Sequence, residues 1–268
     1  MQLFWGLLLA AAVGAAAWKA GALSRSGAAA AAITGGLIFG LGGLAWAALL
    51  LAFFISSSFL SRMFSGRKAA LTEKFSKGSR RDWAQVTANG GLGALLALAW
   101  SLGEQPAWAW AAFAGAMAAV NADTWATELG VLNPKPPRLI TTFREVERGA
   151  SGGVSPLGSL AAVGGAALVA CLALVFTPGG MDTFLAALPI LTKVTLAGVC
   201  GALFDSLLGA SVQAIYFCPT CNKETERHPL HTCGTGTIHR RGWRWLSNDM
   251  VNFFASLVGA LAAVSLFW

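Results

Sequence analysis

The sequence predicts an all-α, polytopic integral membrane protein with about eight transmembrane helices, in a single membrane domain over residues 1–268. Only 12% of the residues are charged, 56% are hydrophobic, and the mean hydropathy is +0.62. A soluble domain carries about 25% charged residues, so this chain has too little polar surface to cover a globule in water. Long apolar runs recur along the chain, as a set of membrane spans requires.

Eight apolar segments are predicted to cross the membrane. Their approximate limits are 3–18, 28–43, 45–61, 86–103, 106–122, 156–176, 192–213 and 250–268. We interpret the first as a retained helix, because it lacks the basic start of a signal peptide and precedes further apolar runs. The cluster Gly40-Leu41-Gly42-Gly43 separates the second span from the third. One continuous helix over 28–60 would leave seven spans instead of eight.

The basic residues predict the orientation of the chain. Of the 19 Lys and Arg residues, 16 lie in the segments 62–81, 135–148 and 223–244, between apolar runs. Because Lys and Arg resist translocation, these segments and the polar residues near them are expected on the cytoplasmic side, with both termini outside. The net charge of +7 then reflects topology and contacts with lipid or nucleotide phosphate, and no nucleic-acid partner is expected.

Acidic and amide side chains recur at the cytoplasmic ends of four predicted spans. The acidic ones are Asp123, Glu128, Asp205 and Asp249, and the amides include Asn89, Gln213, Asn248 and Asn252. Charged groups in a bilayer cost roughly 2.5–3.5 kcal/mol, so they usually have a function. Carboxylates at an aqueous edge suit Mg²⁺ bound to nucleotide phosphates. Asp123, Asp205 and Asp249 are therefore the expected Mg²⁺ ligands, and Glu128 is expected to bind metal or orient the acceptor. Helix capping or hydrogen bonding between spans is the alternative.

A glycine-rich segment, GASGGVSPLG at 149–158, precedes the sixth predicted span. Ser155 suits the N-cap of a helix and Pro156 its first position. Ser151, Gly152 and Gly153 just upstream predict a backbone concavity that binds phosphate at the helix N-terminus. The motif is not a Walker A sequence, and a plain glycine-rich linker is the alternative. Arg80 and Arg81 are the expected side-chain contacts to phosphate.

Three of the five cysteines lie in one cytoplasmic loop, 214–247, which contains CPTCNKETERHPLHTCG at 218–234. Cys218, Cys221, His231 and Cys233 offer four ligands for a tetrahedral structural Zn²⁺, and His228 competes with His231 for one place. A disulfide is disfavoured because the cytoplasm is reducing. A closed four-ligand site predicts a role in folding the loop.

Several of these motifs occur together and in order: NADTWATELG, GASGGVSPLG, FDSLLGASVQ and LSNDMVN, with GSRRDWAQVTANGG at 78–91. Together they resemble the integral membrane family that contains the plastid phytyl-phosphate kinases and transmembrane protein 19, over roughly 62–255. The resemblance implies phosphoryl transfer from a nucleoside triphosphate, CTP or another, to an isoprenyl monophosphate. It carries over, as site residues, Arg80, Arg81, Asn89, Asp123, Glu128, Gly152, Gly153, Asp205, Asn248, Asp249 and Asn252.

The leading hypothesis is thus a membrane kinase with its site at the cytoplasmic interface. A nucleotidyltransferase acting on a lipid phosphate would use the same residues. A lipid or solute transporter is a third interpretation, but it requires carboxylates near the bilayer midplane and broken helices there.

Overall fold

The computed structural model describes residues 1–64, 80–177 and 180–267. Eight helices lie in this described part of the chain. They are α1 (Gln2–Lys19), α2 (Arg25–Gly42), α3 (Leu44–Met63), α4 (Trp83–Leu102), α5 (Ala107–Gly130), α6 (Pro156–Val175), α7 (Phe184–Ser211) and α8 (Asn248–Phe267). Most of the predicted basic segment 62–81, including Lys74 and Lys77, falls outside the described residues.

Side chains at the N-termini determine where several helices begin. The Ser24 and Thr183 hydroxyls accept hydrogen bonds from the third residue of α2 and of α7. Asp82 and Gln85 form a capping box at the start of α4. Ser155 accepts from the Gly158 N–H, and Pro156 is the first residue of α6. These contacts satisfy amides that have no partner inside the helix, and the predicted start of the sixth span at Ser155 is confirmed.

Five of the described helices, α1, α3, α6, α7 and α8, are long and apolar enough to cross a membrane. The predicted count of eight spans remains a prediction, since α2, α4 and α5 are not among these five. The region 28–60 is not one continuous helix. It divides at Gly43, whose φ of 84° is a left-handed conformation that favours glycine. Helix α7 begins at Phe184, eight residues before the predicted 192, and ends at Ser211.

Helix α5 lies at the centre of the bundle and contacts α3, α4, α6, α7 and α8. Nearly every residue from Ala109 to Ala122 is buried. Small residues allow this packing: a β-carbon added at Gly201 would overlap Ala119, and one added at Gly259 would lie 2.6 Å from the Gly115 carbonyl oxygen. Because lipid tails are as apolar as the helices, such close contact is what stabilises association in a membrane.

The chain also contains short strands that the all-α prediction did not include. Strands β1 (Arg138–Leu139) and β2 (Gly153–Val154) pair antiparallel between α5 and α6. Strands β3 (Ile215–Cys218), β4 (Lys223–Thr225) and β5 (Ile238–Arg241) form an antiparallel sheet in the order β4-β3-β5 between α7 and α8. The fold is therefore mostly helical, with two small sheets beside the ends of the helices.

Candidate functional site

One end of the bundle encloses a cavity of about 580 Å³. Its walls come from the last turns of α3, α5 and α7, the first turns of α4, α6 and α8, and the loop before α6. The predicted site residues that line it are Arg81, Asn89, Asp123, Glu128, Ser151, Gly152, Gly153, Asp205, Asn248 and Asn252. Residues far apart in sequence are thus brought together in one place.

Two like-charged side chains act electrostatically on Asp205 in this cavity. Asp123 and Glu226 are the charged neighbours of Asp205, and all three line the cavity wall. In the described part of the chain the Oδ2 atom of Asp205 is buried and makes no hydrogen bond. A buried carboxylate oxygen among like charges is costly unless a cation neutralises it. The cavity therefore carries a concentration of negative charge that would attract a cation.

Glu226 was missed by the sequence analysis. It lies five residues after Cys221 within the segment that was assigned only to zinc binding and loop folding. Its carboxylate reaches the cavity because the loop 214–247 folds back over the end of α7, where the Trp243 N–H donates to the Val212 carbonyl at 2.8 Å. The only feature of the sequence that could have indicated Glu226 was a carboxylate within a loop rich in Lys and Arg.

Arg81 and Glu128 are both held by serines of α3. The Arg81 guanidinium donates to the hydroxyls of Ser57 and Ser58 at 3.0 and 2.9 Å. The Ser61 hydroxyl donates to Glu128 Oε1 at 2.7 Å. Burial lowers the pKa of Arg81, and the Glu128 carboxylate opposes that effect. The two charged groups are therefore close enough to influence each other at the cavity wall.

The serines of α3 form a polar stripe that sequence analysis did not identify. Besides these contacts, the Ser56 hydroxyl donates to Asn121 Oδ1 at 3.1 Å and accepts from the Trp125 indole N–H at 3.1 Å. The Asn121 amide in turn donates to the Gly165 carbonyl at 2.8 Å. Three consecutive serines in an apolar span, ISSSF, were the sequence signal that α3 faces polar groups.

The glycine-rich loop is tied to the end of α7. Gly152 has a φ of 80° and packs so closely that an added β-carbon would overlap the helix backbone. The Ser151 hydroxyl donates to Gln213 Oε1 at 2.7 Å, and Gln213 Nε2 donates to Glu226 Oε1 at 2.9 Å. Gln213 lies two residues beyond the end of α7, although the predicted seventh span extended to residue 213. It does not line the cavity but links two groups that do.

Two other predicted site residues lie apart from the cavity lining. Arg80 is exposed. Because the Arg81 backbone pairs with that of Ala22 and Ser24 in an extended arrangement, neighbouring side chains point to opposite sides. Asp249 is in the first turn of α8, beside the cavity-lining Asn248, but is not itself among the lining residues. A second lining arginine is Arg148, which donates to the Pro134 carbonyl at 2.8 Å.

The four predicted zinc ligands lie together. The ligand atoms of Cys218, Cys221, His231 and Cys233 are all within 4.8 Å of one another. Cys218 Sγ is 3.6 Å from Cys233 Sγ, which is 3.3 Å from His231 Nδ1. His228 instead stacks on Tyr216 with ring centroids 4.4 Å apart, so His231 is the fourth member. Three thiols and one imidazole match a tetrahedral zinc site.

The thiols of this cluster perturb one another. Hydrogen bonds with Thr235 and His231 lower the pKa of Cys233 to about 6. The hydrogen bond with Cys233 in turn raises the pKa of Cys221 to about 11. A thiolate at Cys233 thus disfavours deprotonation of Cys221, as expected for thiols that surround a cation-binding position.

Comparison with known proteins agrees with this architecture. The chain matches the integral membrane protein DUF92 family over residues 8–260. It is 34% identical to "Protein PGR" of Arabidopsis thaliana over 246 residues, 84% of each chain. It is 29% identical to "Uncharacterized membrane protein MJ0933" of Methanocaldococcus jannaschii, over all of this chain and 95% of that one. It is 28% identical to "Uncharacterized membrane protein sll0875" of Synechocystis, over 84% of this chain and 78% of that one. No solved structure matches the chain significantly. The chain therefore belongs to the integral membrane protein DUF92 family.

Proposed function

We propose that this protein is a membrane-embedded kinase that transfers a phosphoryl group from a nucleoside triphosphate, CTP or another, to an isoprenyl monophosphate at the cytoplasmic membrane interface. The observation that carries the proposal is the single cavity in which acidic groups, arginines and a glycine-rich loop meet at one end of the bundle. A lipid phosphate can reach such a site while its tail stays in the bilayer.

Asp123, Asp205 and Glu226 are the proposed ligands for Mg²⁺. Glu226 takes the place in this set that sequence analysis had given to Asp249, because Glu226 lines the cavity and acts on Asp205. Bound Mg²⁺ would neutralise charge on the nucleotide phosphates. The amides of Asn89, Asn248 and Asn252, which also line the cavity, offer hydrogen bonds to phosphate oxygens or to the waters that Mg²⁺ retains.

Arg81 and Arg148 are the proposed side-chain contacts to the phosphates, together with the backbone of 151–153. An oxygen of the isoprenyl phosphate forms a bond to the γ-phosphorus, and the bond between that phosphorus and its bridging oxygen breaks. The products are an isoprenyl diphosphate and a nucleoside diphosphate. Since the attacking phosphate is already ionised, positioning and charge neutralisation suffice and no strong base is needed. Glu128, held by Ser61, orients the acceptor in this scheme.

The same cavity would serve nucleotidyl transfer, whose by-product is pyrophosphate, so product identity is part of the test. Purified protein in nanodiscs is given Mg²⁺, each of the four nucleoside triphosphates, and geranylgeranyl or phytyl phosphate. The proposal predicts isoprenyl diphosphate and nucleoside diphosphate. Release of pyrophosphate would assign the alternative reaction. No turnover with any nucleotide across several prenyl phosphates would reject both.

The variant Asp205→Asn tests whether the cavity is the site of the reaction. It retains the size of the side chain but removes the charge on the buried oxygen, and we expect at least ~100-fold lower kcat. Asp182→Asn is the control, since Asp182 is exposed and does not line the cavity. Equal activity of the two variants would show that the cavity is not the site of chemistry.

A further inference from the structure

The polar cavity has an apolar extension between α6 and α7. Four residues of α7 line this extension. They are spaced at intervals of three, one and three positions and therefore lie on one helical face. The lining residues of the extension are Ser159, Ala162 and Val163 of α6 and Val199, Ala202, Leu203 and Ser206 of α7. From Val199 to Ser206 this face is about 10 Å long at the helical rise per residue.

The two helices are close at one level and separate at another. Near the middle of α6, a β-carbon added at Gly198 would lie 2.8 Å from the β-carbon of Ala166, so the helices touch there. Nearer the polar end, Val163 and Leu203 both border the cavity instead. The space between α6 and α7 is therefore a cleft that is closed at depth and continuous with the site.

This cleft reaches the outer surface of the bundle. Val163 is 43% exposed and Leu203 is 46% exposed, although both line the cavity. Their neighbours Leu160 and Leu207 are 69% and 44% exposed. Both helices have the length and hydropathy of membrane spans, so these exposed side chains face lipid. The carboxylate cavity thus communicates sideways with the bilayer.

We infer that this cleft is a lateral opening through which the isoprenoid tail of the lipid phosphate runs from the cavity into the membrane. The inference rests on the proposed function and specifies how its substrate binds. A tail leaving through the aqueous end would expose its apolar surface to water, which is unfavourable. A tail in the cleft remains among apolar side chains and lipid. Val163 and Leu203 would contact the tail where it leaves the cavity, beyond its first isoprene unit.

The test uses substrates with and without a long tail. Leu203→Trp fills the cleft without altering any charged group. We expect it to lower kcat/KM for geranylgeranyl phosphate about tenfold or more, and to leave dimethylallyl phosphate within about twofold, because the short substrate does not extend through the cleft. Leu188→Trp is the control, since Leu188 is on the same helix with a similar exposure of 43% but does not line the cavity.

A second measurement does not depend on turnover. A geranylgeranyl phosphate analogue carrying a diazirine on its second isoprene unit is photolysed with the wild-type protein, and labelled peptides are mapped. Labelling of α6 and α7, lost in Leu203→Trp, supports the opening. Labelling of other helices, or an equal loss of activity of Leu203→Trp toward both substrates, would overturn it. Labelling of the cleft without turnover of any substrate would instead reject the kinase reaction and retain the lipid site.

Discussion

At the level of single residues, several contacts fix the position of Arg81. Its guanidinium donates to two serine hydroxyls and lies 5.6 and 5.8 Å from the ring centroids of Phe53 and Phe54. Its backbone N–H and carbonyl are also paired, with Ala22 and Ser24. The planar group is thus pre-oriented at the cavity wall, which favours recognition of a phosphate by a geometry that lysine cannot reproduce.

The Arg81→Lys variant tests this role. It retains the charge but loses the fork of donors, so we expect roughly tenfold or greater loss in kcat/KM for the phosphate substrates. Steady-state kinetics with each substrate varied in turn would measure the effect. The matched control is Arg80→Lys, which alters the exposed neighbour and should remain within about twofold of wild type. Equal effects of both variants would remove Arg81 from the site.

Glu226 provides a second prediction for a single residue. Glu226→Gln retains a group that can accept from Gln213 but removes the charge next to Asp205, so we expect the Mg²⁺ concentration for half-maximal activity to rise about tenfold. Direct Mn²⁺ binding, followed by electron paramagnetic resonance, should weaken in parallel. Glu224→Gln, at an exposed position of β4 two residues earlier, is the control. Unchanged metal affinity in Glu226→Gln would exclude Glu226 as a ligand.

At the level of elements, the loop 214–247 joins the Cys/His cluster to the cavity. The cluster begins at the end of β3, where Cys218 is fully buried, and Glu226 follows β4 on the way to His231. A metal that holds both ends of this segment would also restrict where Glu226 lies. Zinc in the loop would therefore take no part in the reaction. It would affect the proposed active site only by fixing the position of Glu226.

Elemental analysis of the purified protein tests this coupling. We expect about one zinc per chain, lost in a Cys218→Ser/Cys221→Ser variant, together with a lower melting temperature and a higher Mg²⁺ concentration for half-maximal activity. A Cys171→Ser/Cys200→Ser variant is the control, because those thiols lie in α6 and α7 outside the cluster. Zinc-free wild-type protein would reject the site. Full activity without zinc would reject the coupling while leaving the metal site intact.

At the level of the whole molecule, the helices alternate in direction relative to the cavity. Helices α3, α5 and α7 end at it, and α4, α6 and α8 begin there. The turn from α1 to α2 is at the same end, because Ala22 and Ser24 pair with Arg81. Eight crossings would produce such alternation, with both termini opposite the cavity; the number of crossings and the side on which the cavity lies stay predictions.

The sidedness can be tested by labelling intact cells with a membrane-impermeant maleimide in a Cys171→Ser/Cys200→Ser background. Gln105→Cys is in the turn opposite the cavity, between α4 and α5, and should react. Ser247→Cys, at the cavity end before α8, should react only after permeabilisation. Both positions are exposed, and the background protein, which keeps Cys218, Cys221 and Cys233, gives the labelling to be subtracted. The reverse pattern would place the cavity on the outer side.

The sequence alone predicted the site residues that lie at the ends of apolar helices. Asp123, Asp205 and Asn248 are rare polar residues at the ends of apolar runs, and the alternation of runs brings such ends together. Helix α7 starts eight residues before the predicted span and contains Pro189, although proline usually interrupts a helix. Glu226 could not be found this way, because its position depends on how an irregular loop folds back over a helix.

The convergence of acidic groups from separate helices is most directly tested by binding of Mn²⁺ with a non-hydrolysable nucleoside triphosphate, measured by electron paramagnetic resonance on protein in nanodiscs. We expect a bound Mn²⁺–nucleotide signal in the wild-type protein, and its loss in Asp123→Asn and in Asp205→Asn separately, because each removes a charge from the same cavity. If both variants bound Mn²⁺ and nucleotide as tightly as the wild type, these carboxylates would not form the metal site.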